Sequence, residues 1–288
     1  SLGAGQIWCR AKDAMLPRHV LLRLSEQKGS FDEEEAHQFK RECRILAKLN
    51  SPHIIWLIDF GQDSQYGYYM VVEDLTGSTL RVHLNQFCKL SPKKCLKIMA
   101  QICIAIQEMH EKSIIFNNLN PESILISSDE IVKVIDISRS NFYLITNPTQ
   151  TTIKETSLEK EQLSFHKYLA PELLDGARSS VSSDLYSWGA LAYELLTGLR
   201  PFGQSDNSSP LRLEMPGPIP GCPDELAALV FRCLLKDPSM RPKTAGGLLQ
   251  DCMHLWETLY PEEQLFSSAY IDSTAQKKYR DPHLAKPL

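Results

Sequence analysis

The sequence predicts an α+β fold in two unequal halves, a small antiparallel sheet carrying one helix and a larger helical part. Three observations predict it. Short apolar runs of strand length fill the first quarter of the chain, and the spacing turns helical after Glu73-Asp74-Leu75-Thr76-Gly77. The segment Leu185 to Leu196 is apolar almost all round, as suits a central helix. The halves divide as residues 1–75 and 76–258, and residues 259–288 read as a polar tail or linker.

Val20-Leu21-Leu22-Arg23-Leu24 reads as a buried strand. An acidic start at Asp32-Glu33-Glu34-Glu35 then suits a helix N-terminus, and apolar spacing through Phe39, Cys43, Leu46 and Leu49 carries that helix to Asn50-Ser51-Pro52. Ile54 to Ile58 and Tyr68 to Val72, separated by Gln62-Asp63-Ser64-Gln65, predict a strand pair. Ser91-Pro92 opens a helix on which Leu96, Met99, Ile102, Ile106 and Met109 recur at helical spacing. Ser182-Ser183-Asp184 predicts the cap of the central helix, and Asp224 to Leu235 and Thr244 to Leu259 complete the helical half.

Composition narrows the function. A net charge of −4, from 31 basic and 35 acidic residues, with no basic block, points to neither nucleic acid nor an anionic membrane as partner. The 8 cysteines form no C-x-x-C pair and no zinc-site spacing, and Cys43, Cys103 and Cys233 lie in apolar helical patterns, as reduced buried thiols do. No apolar run reaches the ~20 residues of a membrane helix. The expectation is therefore a soluble, cytoplasmic protein without direct membrane insertion. The chain opens at Ser1-Leu2-Gly3 inside a strand–turn pattern, which predicts a longer polypeptide with adjoining domains.

Three landmarks then occur in order: Ala170-Pro171-Glu172, Ser183-Asp184-Leu185-Tyr186-Ser187-Trp188-Gly189, and Cys233-Leu234-Leu235-Lys236-Asp237-Pro238-Ser239-Met240-Arg241-Pro242. In this order they resemble the protein kinase superfamily, the serine/threonine/tyrosine kinase-like domain, from about residue 1 to 258. The resemblance implies a bilobal fold, ATP and Mg²⁺ as cofactors, and a structural ion pair between Glu172 and Arg241 that pins the activation segment.

The parts for phosphoryl transfer, mapped by that resemblance, are mostly altered. Gly3 and Gly5 match two glycines of the phosphate loop, though an ordinary turn between strands is the better reading, since Trp8 stands at the third glycine and Arg10 at the valine that covers adenine. Arg23 replaces the strand lysine, with Glu42 as its helix partner. A planar guanidinium favours a bidentate pair with the carboxylate over a point contact on phosphate. Leu21 narrows the adenine side, where Val72, Glu73, Leu75 and Leu125 map.

The catalytic loop reads Phe116-Asn117-Asn118-Leu119-Asn120-Pro121-Glu122-Ser123. Asn118 stands at the base aspartate, and an amide accepts no proton from a hydroxyl near neutral pH. Asn120 and Ser123 stand at the loop lysine and the second metal ligand, so no residue is assigned as competent for catalysis. Asp136 keeps the metal-binding position. It has two readings, a lone ligand for Mg²⁺ or a turn residue bonding local N–H groups.

Leu46, Leu57, Phe116 and Ile137 map to an apolar spine over Asp184. The hydroxyls Thr146, Thr149, Thr151, Thr152, Thr156 and Ser157 read as a polar activation loop, with Asn117 replacing the arginine that receives its phosphate. Altered chemistry on a retained scaffold predicts a pseudokinase, a scaffold or allosteric module working through protein partners or adjoining domains. The alternatives are a weakly active ATP-dependent serine/threonine-type kinase and a nucleotide-sensing switch without turnover.

Overall fold

A computed structural model describes residues 7–24, 33–64, 66–138, 140–142, 166–201 and 215–266. Gly3, Gly5, the activation-loop hydroxyls and the tail from 267 onward lie outside them.

The small half is a four-stranded antiparallel sheet of β1 (Ile7–Lys12), β2 (His19–Leu24), β3 (Leu57–Asp63) and β4 (Gly67–Glu73), ordered β1-β2-β4-β3. Helix α1 (Glu33–Leu46) crosses one face of it. Directly paired residues of antiparallel strands share a face, so the register builds two parallel rows on that side. One is Trp8, Arg23, Met70, Phe60; the other is Arg10, Leu21, Val72, Leu57. A bulge between Leu57 and Asp59 absorbs the odd spacing of Leu57 and Phe60 and keeps both in these rows.

The expected strand over Ile54 to Ile58 begins later, at Leu57. Ile54 and Ile55 are buried against the helical half instead, where the Ile55 N–H donates to the Val134 carbonyl at 2.8 Å and the Val134 N–H to that of His53 at 2.8 Å. Backbone donors spent there cannot extend the sheet.

A linker leads to β5 (Ser78–Thr79) and α2 (Leu80–Phe87). Gly77 makes this bend, with φ of 149°, and a Cβ there would lie 2.2 Å from the Ile126 carbonyl oxygen. Helix α3 (Pro92–Glu111) follows with Ser91 as N-cap. Beyond it come β6 (Ile114–Ile115), β7 (Ile124–Ile126), β8 (Val132–Val134) and β9 (Asn141–Phe142), forming the small sheets β5-β7-β8 and β6-β9.

Four more helices complete the half: α4 (Pro171–Leu174), α5 (Val181–Thr197), α6 (Asp224–Cys233) and α7 (Ala245–Leu259). The central helix α5 starts a turn earlier than its expected Ser182-Ser183-Asp184 cap. Its N-cap is Ser180, which forms a reciprocal capping box with Ser183 and frees Asp184 to point inward from the first turn. Nearly every residue of α5 from Ser183 to Leu196 is buried, and Trp188 Nε1 ties it to α3 by donating to the Met99 carbonyl at 3.1 Å.

The segment after α7 does not leave the body at once. Trp256 Nε1 donates to the Glu263 carbonyl at 2.7 Å, and Leu265 and Phe266 pack on the core. Among the described residues no helix is long and apolar enough to cross a membrane.

Candidate functional site

Between the row-bearing face of the sheet and the loops of the helical half, the structure gathers Arg23, Glu42 and Asp136. Arg23 leaves β2 toward α1 and forms a two-armed pair with Glu42, Nη1 to Oε1 at 2.7 Å and Nη2 to Oε2 at 2.6 Å. Both residues are buried, and the guanidinium lies between Trp8 and Phe39, 5.9 and 5.2 Å from their ring centres. Burial works against the Arg23 charge, but the carboxylates of Glu42 and, less strongly, Asp136 more than offset it, so its pKa is raised. Burial also pushes the Glu42 carboxyl up, against the pull of Arg23.

Asp136 sits at a turn, and its Oδ1 accepts the Ser138 N–H at 2.9 Å. Its carbonyl accepts the Asn118 amide at 3.2 Å. Asn118, Asn120 and Ser123 are only 4%, 6% and 1% exposed. They bond to one another. Asn120 Nδ2 donates to the Asn118 carbonyl and Oδ1, both at 3.0 Å, while its Oδ1 accepts the N–H groups of Glu122 and Ser123, both at 2.9 Å. The Ser123 hydroxyl lies 2.7 Å from the Asn118 carbonyl and 2.9 Å from that of Asn120. The Asn120 and Ser123 side chains are thus occupied with their own loop, while the Asn118 amide also ties that loop to Asp136.

The loop is fixed from below. Asp184 Oδ2 accepts the Phe116 N–H at 2.8 Å and Oδ1 that of Asn117 at 2.9 Å, with His110 Nε2 2.8 Å from Oδ2. Asn117 holds φ of 57°, a conformation these contacts impose. Phe116, Ile137 and Leu46 are buried members of one core, with Leu57 packed against it.

Of the residues mapped to the base side, Val72 and Leu125 are buried, Leu21 shares the core cluster with Val72, and Leu75 packs partly buried against it. Glu73 turns away, accepting Lys133 Nζ at 2.6 Å and the Trp56 N–H at 2.9 Å. Arg10 reaches the linker at Asp74, Nη2 to Oδ2 at 2.5 Å and Nε to the same oxygen at 3.1 Å.

Glu172 and Arg241 form a second two-armed pair, at 2.7 and 2.8 Å. The remaining Arg241 donors reach the Leu235, Ser182 and Lys236 carbonyls, so this buried cation is fully used.

Sequence reasoning missed two arrangements. One is Arg10 with Asp74. The other is Arg81, whose guanidinium donates to Glu122 at 2.8 Å, Glu194 at 2.9 Å and the Tyr168 hydroxyl at 2.8 Å, with Tyr168 also bonded to Glu194. Their partners lie 64 and up to 113 residues apart with no motif linking them; the acceptors on α5 and α4's approach carried the only signal.

A protein kinase domain works with ATP and Mg²⁺ held by phosphate oxygens and carboxylates. Of the residues mapped to that pair, Asp136 keeps its carboxylate, and the others are engaged within the protein. One oxygen of Asp136 is taken by Ser138, Ser123 at the second ligand position bonds its own loop, and the Arg23 fork is spent on Glu42 under Trp8. Among the described residues no three His, Cys, Asp or Glu side chains gather as a metal site.

Comparison with known proteins shows the family. A family model of the protein kinase domain matches residues 16–256. The chain is 32% identical to the serine/threonine-protein kinase PrkC of Bacillus subtilis over 84% of its own length and 37% of that protein. It is 30% identical to the serine/threonine-protein kinase PknA of Mycobacterium tuberculosis, over 85% of its own length and 56% of that protein. It is 29% identical to the serine/threonine-protein kinase pkn3 of Myxococcus xanthus, over 84% and 46%. The chain therefore spans between 37% and 56% of the length of these relatives. With that model covering most of its length, over a two-part α+β fold that carries the ordered landmarks, this chain belongs to the protein kinase domain family.

Proposed function

We propose that this kinase domain is a regulatory module, acting through protein partners or adjoining domains in the cytoplasm, that does not transfer phosphate at a useful rate. The observation that carries the reading is the closed circuit of Asn118, Asn120 and Ser123. Positions that elsewhere in the family meet a hydroxyl, a phosphate and a metal are filled by amides and a hydroxyl bonded to one another, to their own loop's main chain and to the Asp136 carbonyl. Removing a general base alone costs on the order of 10²–10⁴ in rate. What is kept, the Asp184 anchor and the Glu172–Arg241 pair, holds shape.

The test is transfer from radiolabelled ATP, with Mg²⁺ or Mn²⁺, to the chain itself and to a generic protein substrate. The expected result is no incorporation above that of the Asp136→Ala variant. Metal-dependent incorporation that this variant abolishes overturns the reading.

A second reading, a serine/threonine kinase of low activity, is favoured by the relatives' names and by the approach of Arg23, Glu42 and Asp136. It is also favoured by Trp8 Nε1, a buried donor without a hydrogen-bond partner among the described residues. It requires a thermal shift with Mg-ATP, ~2.7 kcal/mol at a hundredfold excess over Kd. No shift at millimolar Mg-ATP removes it.

A further inference from the structure

We propose that the cleft where α3 begins, between Lys89 and Cys222, is a docking site for a short peptide segment of a partner protein that carries a bulky apolar residue next to an acidic one. The inference rests on the reading of this domain as one that works through protein partners.

The cleft holds about 210 Å³ and lies where the turn between α2 and α3, the end of α5 and the approach to α6 meet. Leu90, Pro92, Leu196, Pro220 and Cys222 give it an apolar lining. Its walls are fixed. The Leu90 N–H donates to the Leu195 carbonyl at 2.7 Å, and a Cβ on Gly198 would lie 2.5 Å from the Cys88 carbonyl oxygen and 3.8 Å from the Lys89 Cβ. The turn therefore rests directly on the end of α5. That contact sets Leu199, 63% exposed, next to Lys89, while Phe87, 52% exposed, stands two residues before Lys89 on the same turn. A preformed apolar hollow with two large apolar side chains left in water at its edge is the kind of surface that a protein partner covers.

The charge around the hollow decides which partner. Lys89 is exposed and has no ion pair among the described residues, whereas Lys93 is held by Glu263. The first turn of α3 contains Lys93 and Lys94 and no acidic residue, so the positive end of the helix dipole is left without a counter-charge. At the opposite wall, burial and then the nearby Asp224 push the Cys222 thiol up to about 11, which marks that wall as the negative one. A guest that seats its apolar side chain in the hollow and turns its carboxylate to Lys89 is attracted at one end and spared repulsion at the other. A basic guest in the same pose meets the reverse.

The experiment follows amide chemical shifts of the full chain during titration with the tripeptide acetyl-Leu-Asp-Leu-amide and with its basic counterpart, acetyl-Leu-Lys-Leu-amide. The acidic peptide is expected to shift Leu90, Leu196, Gly221 and Cys222 at millimolar concentration and to bind about fivefold more tightly than the basic one, a preference that weakens with salt. Lys89→Glu changes an exposed side chain, so the fold is expected to persist and the preference between the two peptides to invert.

No shift at these residues with either peptide, equal binding of the two, or a preference that Lys89→Glu leaves unchanged overturns the proposal. Shifts that appear only after residues 267–288 are deleted assign the cleft to the chain's own tail, and a dimer in sedimentation that Lys89→Glu dissociates assigns it to a second copy; either result also overturns it. Phosphoryl transfer from Mg-ATP, assayed on the same samples, bears on the regulatory reading alone, and its appearance leaves the peptide preference of the cleft standing.

Discussion

Arg23 and Glu42 are both sealed from water, which makes their pair expensive to break and of small net worth when whole. Arg23→Met leaves Glu42 as a buried, unpaired carboxylate and is expected to lower stability by about 3–5 kcal/mol in urea titration, while Arg23→Met with Glu42→Leu returns most of that loss. The pairing was legible because both residues sit at positions that the resemblance maps onto each other. Its geometry was not: the approach of Trp8 to the guanidinium depends on strand register, which a one-residue slip would reverse, and that of Phe39 on how α1 packs on the sheet. The same limit hid Arg10 and Arg81. An arginine advertises a charge in the sequence, but its partner is chosen by how distant elements meet.

At the scale of elements, the helices were read more securely than the strands. α3, α6 and α7 carry strong apolar periodicity and recognisable starts, whereas β5 through β9 are only two or three residues long and hold too little pattern to announce themselves. The helix α2 also escaped notice, although Thr79 caps it by accepting the Val82 N–H at 3.4 Å. Its placement depends on the bend at Gly77, where the backbone of the linker approaches that of β7. Gly77→Ala puts a methyl against the Ile126 carbonyl in a backbone region reserved for glycine. The expected outcome is a loss of about 3 kcal/mol or more, with accelerated amide exchange in residues 78–87 as the diagnostic. Exchange unchanged in that segment would mean the bend tolerates a side chain.

Across the whole molecule, a single apolar core runs from Phe39 and Met70 beneath the sheet to Trp256 in the last helix, and Phe116 lies within it at 0% exposure. Phe116→Ala is expected to cost about 3–5 kcal/mol, read from denaturant titration, because a rigid surround cannot collapse into the vacated space. The two-part architecture was legible from the change of spacing near residue 77, and the altered catalytic loop from its residues alone. The groove's contents were not, since they come from register and from long side chains crossing between strands. The carboxylate of Asp184 carries one more implication. It grips the loop through main-chain N–H groups, which every substitution at positions 116 and 117 short of proline would still offer. The anchor at 116 and 117 is thus indifferent to side chain, whereas Asn120 and Ser123 hold the loop's own carbonyls and N–H groups, so exchanging them alters the backbone's support as well as the chemistry of the loop.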